Sequence, residues 1–194
     1  ETDDGTTDDG TTDDGTTEET TEETTETTGE GACSVPDPGW GGTASVGGAA
    51  PQFAGLNQHG EEFSICDYEG FPIAIDTSAV WCGPCQDLSL CLGGDDAKCI
   101  ALFGGNPDIP NILTTPLRNA IAAGQFGWIT VLTENAGGGA PSQADVTAWD
   151  TNYMAIPEVI VTADEAQNYY THLPIMQFPS VWMIDANMNN FAPP

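Results

Sequence analysis

The feature that most constrains this chain is a short apolar run that meets a pair of cysteines. Phe71-Pro72-Ile73-Ala74-Ile75-Asp76-Thr77 leads directly into Trp81-Cys82-Gly83-Pro84-Cys85. A run of this length and composition suits a buried strand, and a helix is expected to follow it to about Leu92. A C-x-x-C motif is either redox-active or half of a zinc site. Zinc requires a second ligand pair. Cys91 and Cys99 lie eight apart, there is no second C-x-x-C, and His59 and His172 are isolated in the sequence. Redox chemistry is the favoured reading, with no metal site expected.

The chemistry of a thiol at that junction follows from its ionisation. The thiolate is the reactive form, and an ordinary cysteine ionises only near pH 8.5 or so. At a helix N-terminus the unpaired backbone N–H groups and the helix dipole favour the anion. Cys82 is therefore expected to be the attacking nucleophile. Cys85, one turn later on the same face, is expected to resolve the mixed disulfide. Pro84 limits the conformations between them, Gly83 leaves little to obstruct an incoming sulfur, and Trp81 should cover the approach.

The remaining sequence predicts strands alternating with helices. A hairpin is expected from Gln52–Leu56 and Glu61–Ile65 around a turn at residues 57–60. Thr115-Pro116 and Gly124 punctuate a helix, with Thr115 as its cap and Gly124 as its left-handed terminator. Gly127–Thr133 reads as a second central strand. Ser142 and Asp145 have the spacing of a capping box opening a helix to about Tyr153. Short strands are expected at 157–161 and 180–185. Residues 32–51 read as an extended lead-in, and 92–112 as a long Gly/Pro-rich loop near the site. The pattern implies an α/β fold with a central sheet covered by helices.

Composition divides the chain in two. Residues 1–31 contain no Cys, Trp, Phe, Leu, Ile or Val, and Asp-Asp-Gly-Thr-Thr recurs at 3–7, 8–12 and 13–17. Such a segment has nothing apolar to bury, so it is expected to be a disordered acidic leader or tether. Its Asp-Asp-Gly repeats lack the ligand spacing of a calcium loop and read as a solvated linker. Residues 32–194 form one domain of ordinary size. Thirteen of the 30 acidic residues lie in the leader, leaving seventeen in the domain against only Lys98 and Arg118. With so few cations, nucleic-acid binding and electrostatic attachment to an anionic membrane are excluded. The acidity serves solubility, or adaptation to a saline habitat in which salt screens the repulsion. No run reaches the ~18 apolar residues of a membrane helix. The chain starts at Glu1 without a signal peptide, as expected of a mature or trimmed form. A leader of this kind suits the tether of an exported, lipid-anchored protein.

Four cysteines remain beside the C-x-x-C pair, an even number that favours disulfides in an oxidising compartment. Cys91–Cys99, closing a glycine-containing loop, and Cys33–Cys66, tying the lead-in to the first strand region, are the preferred pairs. Four cysteines allow three pairings, and buried free thiols are the alternative.

Ala79-Val80-Trp81-Cys82-Gly83-Pro84-Cys85 resembles the active site of thioredoxins and of their exported TlpA/ResA-like relatives. Ala50-Pro51-Gln52-Phe53, the Gly60 turn and Cys66-Asp67-Tyr68-Glu69-Gly70 resemble the lead-in of the latter group. The resemblance implies a thioredoxin-like fold over about residues 50–190, with the hairpin as an N-terminal extension. It implies a thiol–disulfide oxidoreductase with the Cys82–Cys85 disulfide as its redox group and no other cofactor. It also implies extracytoplasmic location, protein thiol or disulfide clients, an upstream electron donor or acceptor, and a monomeric state. Asp76 matches the buried acid that exchanges a proton with the resolving cysteine. Pro179 resembles the cis-proline facing the dithiol, with the Phe178 backbone presenting hydrogen-bonding groups to a bound peptide.

Three departures stand out. The lysine that usually pairs the buried acid has no counterpart, so burial should raise the Asp76 pKa. A final strand can be only rudimentary before Pro194, with the usual C-terminal helix missing, as in a truncated chain or one where another segment covers that face. Ala79 stands where a peroxiredoxin-type peroxidase carries its threonine, which leaves that activity as an alternative. A non-catalytic peptide- or metal-binding module is the other.

Overall fold

A computed structural model of the chain describes residues 33–192. The leader expected over 1–31 lies outside the described residues.

Ala54–Leu56 (β1) and Glu62–Ser64 (β2) pair antiparallel, with Gly55 opposite Phe63. Their turn is held by Asn57, whose Oδ1 accepts from the N–H groups of His59 and Glu61. Gly60 supplies the left-handed residue at φ +77°. The second strand is shorter than expected because Ser64 and Asp67 cap a 3₁₀ turn over Ile65–Tyr68, and that turn diverts the chain.

The main sheet is built around Ile73–Ala79 (β3), all seven of whose residues are buried. The chain then forms Gly83–Leu92 (α1), Asp96–Leu102 (α2) and Thr115–Ala122 (α3) before returning as Gly127–Glu134 (β4). Gln143–Asn152 (α4), Ile160–Ala163 (β5), Asn168–His172 (α5), Ser180–Ile184 (β6) and Asn190–Ala192 (β7) complete the order. The sheet runs β5-β4-β3-β6-β7. Strands β3, β4 and β5 are parallel, while β6 is antiparallel to both β3 and β7. A mixed sheet flanked by helices is the architecture expected.

Alternation along the strands separates two core layers. Ile73, Ile75, Ile129, Val131, Trp182 and Ile184 face a layer completed by Tyr169, Met188 and the lead-in residues Val35 and Trp40. Ala74 and Trp128 face the other, packed against Leu88 and Leu92 of α1. The lead-in thus covers the face opposite α1. It follows the outer strand through Ala50 N–H to Met188 O and Asn190 N–H to Gly48 O. On the α1 face, Val181 and Met183 of β6 are only half-buried. Strand β7 is three residues long, as the sequence led us to expect.

Four expectations need correction. Residues 92–112 are not one loop. Asp95 accepts from the N–H groups of Ala97 and Lys98 and so starts α2, and a wide helical turn occupies Pro110–Thr114. Because Thr114 is already helical at φ −78°, ψ −35°, Thr115 is not a cap; its hydroxyl accepts from Arg118 at 3.0 Å. Gly124 does take the left-handed conformation, φ +65°. The strand expected at 157–161 starts at Ile160, where pairing with Ile129 begins, because Val159 N–H closes a turn onto Ile156 O. Helix α5 was not foreseen; Asp164 opens it by accepting from Asn168 and Tyr170 N–H. The capping box is present, with Ser142 N–H donating to Asp145 at 2.9 Å.

Candidate active site

Three strand ends meet at one edge of the sheet. The parallel strands β3 and β4 end there at Ala79 and Glu134, and antiparallel β6 begins there at Ser180, opposite Thr77. Cys82 follows β3 by three residues and is the N-cap of α1, at φ −82°, ψ 106°. Its Sγ accepts from the Cys85 N–H at 3.2 Å. Cys82 and Cys85 form a disulfide with Cα atoms 5.3 Å apart. Both are buried, Cys82 at 3% exposure and Cys85 at none. Gly83 and Pro84 are exposed above them, and a Cβ added at Gly83 would meet nothing within 4 Å. Gly83 therefore leaves open space for an incoming sulfur.

The wall of that approach is aromatic. Trp81 is 53% exposed and meets Phe178 edge-to-face, with ring centroids 5.8 Å apart. Its indole N–H donates to Glu134 Oε2 at 2.7 Å. Phe178 packs against the cluster that contains Cys82 and Cys85, and the Phe178–Pro179 peptide bond is cis. Cys85 itself is closed in by Leu132, Val146 and Trp149.

Asp76 sits deeper. Its place on β3 puts it on the Ala74 face, the one α1 covers. It is 1% exposed, and burial is the main reason its pKa is raised from 3.8 to about 7. Hydroxyls from Ser78, at 3.1 Å, and Thr130, at 3.2 Å, donate to its two oxygens and partly offset that rise. Neither cation comes near. Lys98 pairs with Asp87 at 2.6 Å, and Arg118 holds Asp96 and the Cys91 carbonyl. With pKa near 7 the carboxyl is poised to hold or release a proton around neutrality.

The other four cysteines form Cys33–Cys66 and Cys91–Cys99. The first ties the lead-in to the turn before β3. The second joins the end of α1 to α2 across a bend at Gly94, φ +105°. Every described cysteine is in a disulfide. Glu134, Ser78 and Thr130 were not singled out from the sequence. The two hydroxyls carry a readable signal, since strand alternation puts Ser78 on the Asp76 face and parallel pairing puts Thr130 beside it. Glu134 carries none beyond its place at the end of a central strand.

No protein-family model matches the chain, and no curated protein sequence matches it. Solved structures do. A conserved protein of unknown function from Bacteroides fragilis is 11% identical over 77% of this chain and 91% of its own, with TM-score 0.53. A protein assigned as the thiol:disulfide interchange protein DsbE from Chlorobium tepidum is 18% identical over 77% and 84%, with TM-score 0.52. The thioredoxin domain of a thiol-disulfide oxidoreductase from Bacteroides vulgatus is 17% identical over 78% and 89%, with TM-score 0.50. At these identities the likeness is one of architecture. The chain is a thioredoxin-fold protein.

Proposed function

We propose that the chain is a thiol–disulfide oxidoreductase that exchanges the Cys82–Cys85 disulfide with the thiols or disulfides of client proteins. The observation that carries this reading is Cys82 at the N-cap of α1, bonded to Cys85, with its sulfur already accepting the Cys85 N–H. That amide and the helix dipole would stabilise a Cys82 thiolate after reduction. In the oxidising direction, a client thiolate attacks Cys82 Sγ. The Cys82–Cys85 bond breaks, and Cys85 leaves with the electron pair and takes a proton from Asp76. A second client thiolate then attacks the client sulfur of the mixed disulfide and releases Cys82 as the thiolate. The client is oxidised by two electrons and the protein is reduced by two. The reverse sequence reduces a client disulfide.

The Phe178 backbone before the cis bond would present its hydrogen-bonding groups to an extended client segment. Three disulfides in one small domain fit an oxidising, extracytoplasmic compartment. Among the described residues no helix is long and apolar enough to cross a membrane.

The test is reduction of a peptide disulfide by the dithiol form. Cys82→Ser should abolish it, while Cys85→Ser should accumulate a covalent adduct with the peptide. Full turnover by the Cys82→Ser protein would overturn the reading.

A further inference from the structure

The charged groups of this protein are not distributed evenly about the dithiol. The edge of the sheet that carries Cys82 is the edge at which β3, β4 and β5 all end. Glu134 lies there, in direct contact with Trp81, the neighbour of the nucleophile. One strand further on, β5 ends at Ala163 and continues into Asp164 and Glu165. Asp164 is buried as the acceptor for α5, and the exposed Glu165 beside it lines a cavity of about 370 Å³ with Trp40 and Phe53. Against these stand two cations in the whole chain. Lys98 on α2 and Arg118 on α3 are held by Asp87 and Asp96 on the helices between β3 and β4. No Lys or Arg follows Arg118 in the sequence. At Trp81, Phe178 and Glu134 the approach is therefore aromatic with a carboxylate at its side.

We propose that the clients of this dithiol are cationic segments carrying Lys or Arg beside the reacting cysteine, and that Glu134 is a specificity-determining residue for them. The inference rests on the oxidoreductase reading above. An ammonium or guanidinium group reaching the Trp81 ring meets the indole π-face and, at the indole N–H edge, the Glu134 carboxylate, and both attract it. An acidic client meets the same carboxylate and a seventeen-acid domain as repulsion. Attraction of this kind acts mainly on encounter and register, so it falls as salt rises. The Trp81 hydrogen bond fixes Glu134 in place, which lets one carboxylate act selectively rather than as part of a diffuse field.

The experiment uses the full chain in its dithiol form and three symmetrical peptide disulfides whose cysteines are flanked by Lys, Gln or Glu. Cys82 attacks one peptide sulfur and releases a peptide thiol. Cys85 then displaces the second, so the peptide pair is reduced by two electrons as the protein is oxidised. Rates are read by acid quenching and mass at low salt and at high salt. At low salt the Lys peptide should react about tenfold faster than the Gln peptide, and the Glu peptide about tenfold slower, with the three converging in high salt. Glu134→Gln keeps an acceptor for the indole and removes the charge; it should cut the Lys-to-Gln ratio by about threefold. Glu158→Gln removes the same charge from the exposed turn ahead of β5, at the opposite edge, and should leave that ratio unchanged.

Equal rates for the three peptides at low salt would overturn the inference and leave the oxidoreductase reading standing. Failure to reduce any of the three would overturn that reading itself. Equal effects of Glu134→Gln and Glu158→Gln would overturn the role of Glu134 in favour of net charge.

Discussion

Asp76→Asn separates the cost of the buried acid from its use. The wild-type carboxyl is protonated in the folded protein up to about pH 7, whereas an exposed aspartate ionises near 3.8. A folded pKa raised above the unfolded value contributes full relative stability below the unfolded pKa, and that stability is lost as pH rises through the folded one. The gap between 3.8 and about 7 corresponds to about 4 kcal/mol, fully expressed above pH 7. Between pH 5 and pH 8 the difference is about 2–3 kcal/mol on the same arithmetic. Asparagine has the shape of the neutral acid and can still accept from Ser78 or Thr130, but it never ionises. The variant should therefore gain on the wild type by about 2–3 kcal/mol between pH 5 and pH 8, measured by urea unfolding of the disulfide form. On the proposed mechanism the same change removes the proton source for Cys85. The wild-type-to-variant ratio of peptide-thiol oxidation rates should be tenfold or so at pH 6 and fall as pH passes 7. Parallel stability profiles for the two proteins would refute the claim that Asp76 is buried without a compensating charge. A rate ratio that ignores pH would refute its role as a proton donor.

Three further outcomes follow from the packing. Replacing Cys91 and Cys99 by alanine should cost about 2.5 kcal/mol by urea unfolding, the loop-closure value for a short loop. Replacing Cys33 and Cys66 frees a much longer loop and should cost about 3.5 kcal/mol on the same reasoning. Gly93→Ala would drive its Cβ into the Met154 carbonyl; this backbone-to-backbone overlap should destabilise by about 1–3 kcal/mol and lower Tm by roughly 3–10 °C in calorimetry.

What could be read from the sequence was what the chain decides locally. The strand ending in a C-x-x-C, the Ser142–Asp145 box and the Gly124 terminator all depend on neighbours within a few residues, and each is found where it was expected. The limits of β5 were not legible, because they are set by its register against Ile129 rather than by its own residues. Helix α2 was hidden by Gly93-Gly94, which read as loop, although Asp95 just beyond them is an effective cap. Glu134 was invisible for another reason. Its contact with Trp81 spans 53 positions of sequence, and nothing near either residue announces the other. The missing lysine beside Asp76, by contrast, was legible, since neither Lys98 nor Arg118 falls on a stretch that reads as a core strand.

The placement of those two cations has a practical consequence for handling the molecule. Trypsin cleaves only after Lys or Arg, so the chain offers it two bonds, Lys98–Cys99 and Arg118–Asn119. Both lie inside helices, and both side chains are engaged in ion pairs. A cut after Lys98 falls within the stretch bridged by Cys91 and Cys99. The two halves would remain covalently joined and migrate as one species until a reductant separates them. Digestion compared with and without reductant therefore reads out the state of that bridge directly, with no labelling of thiols.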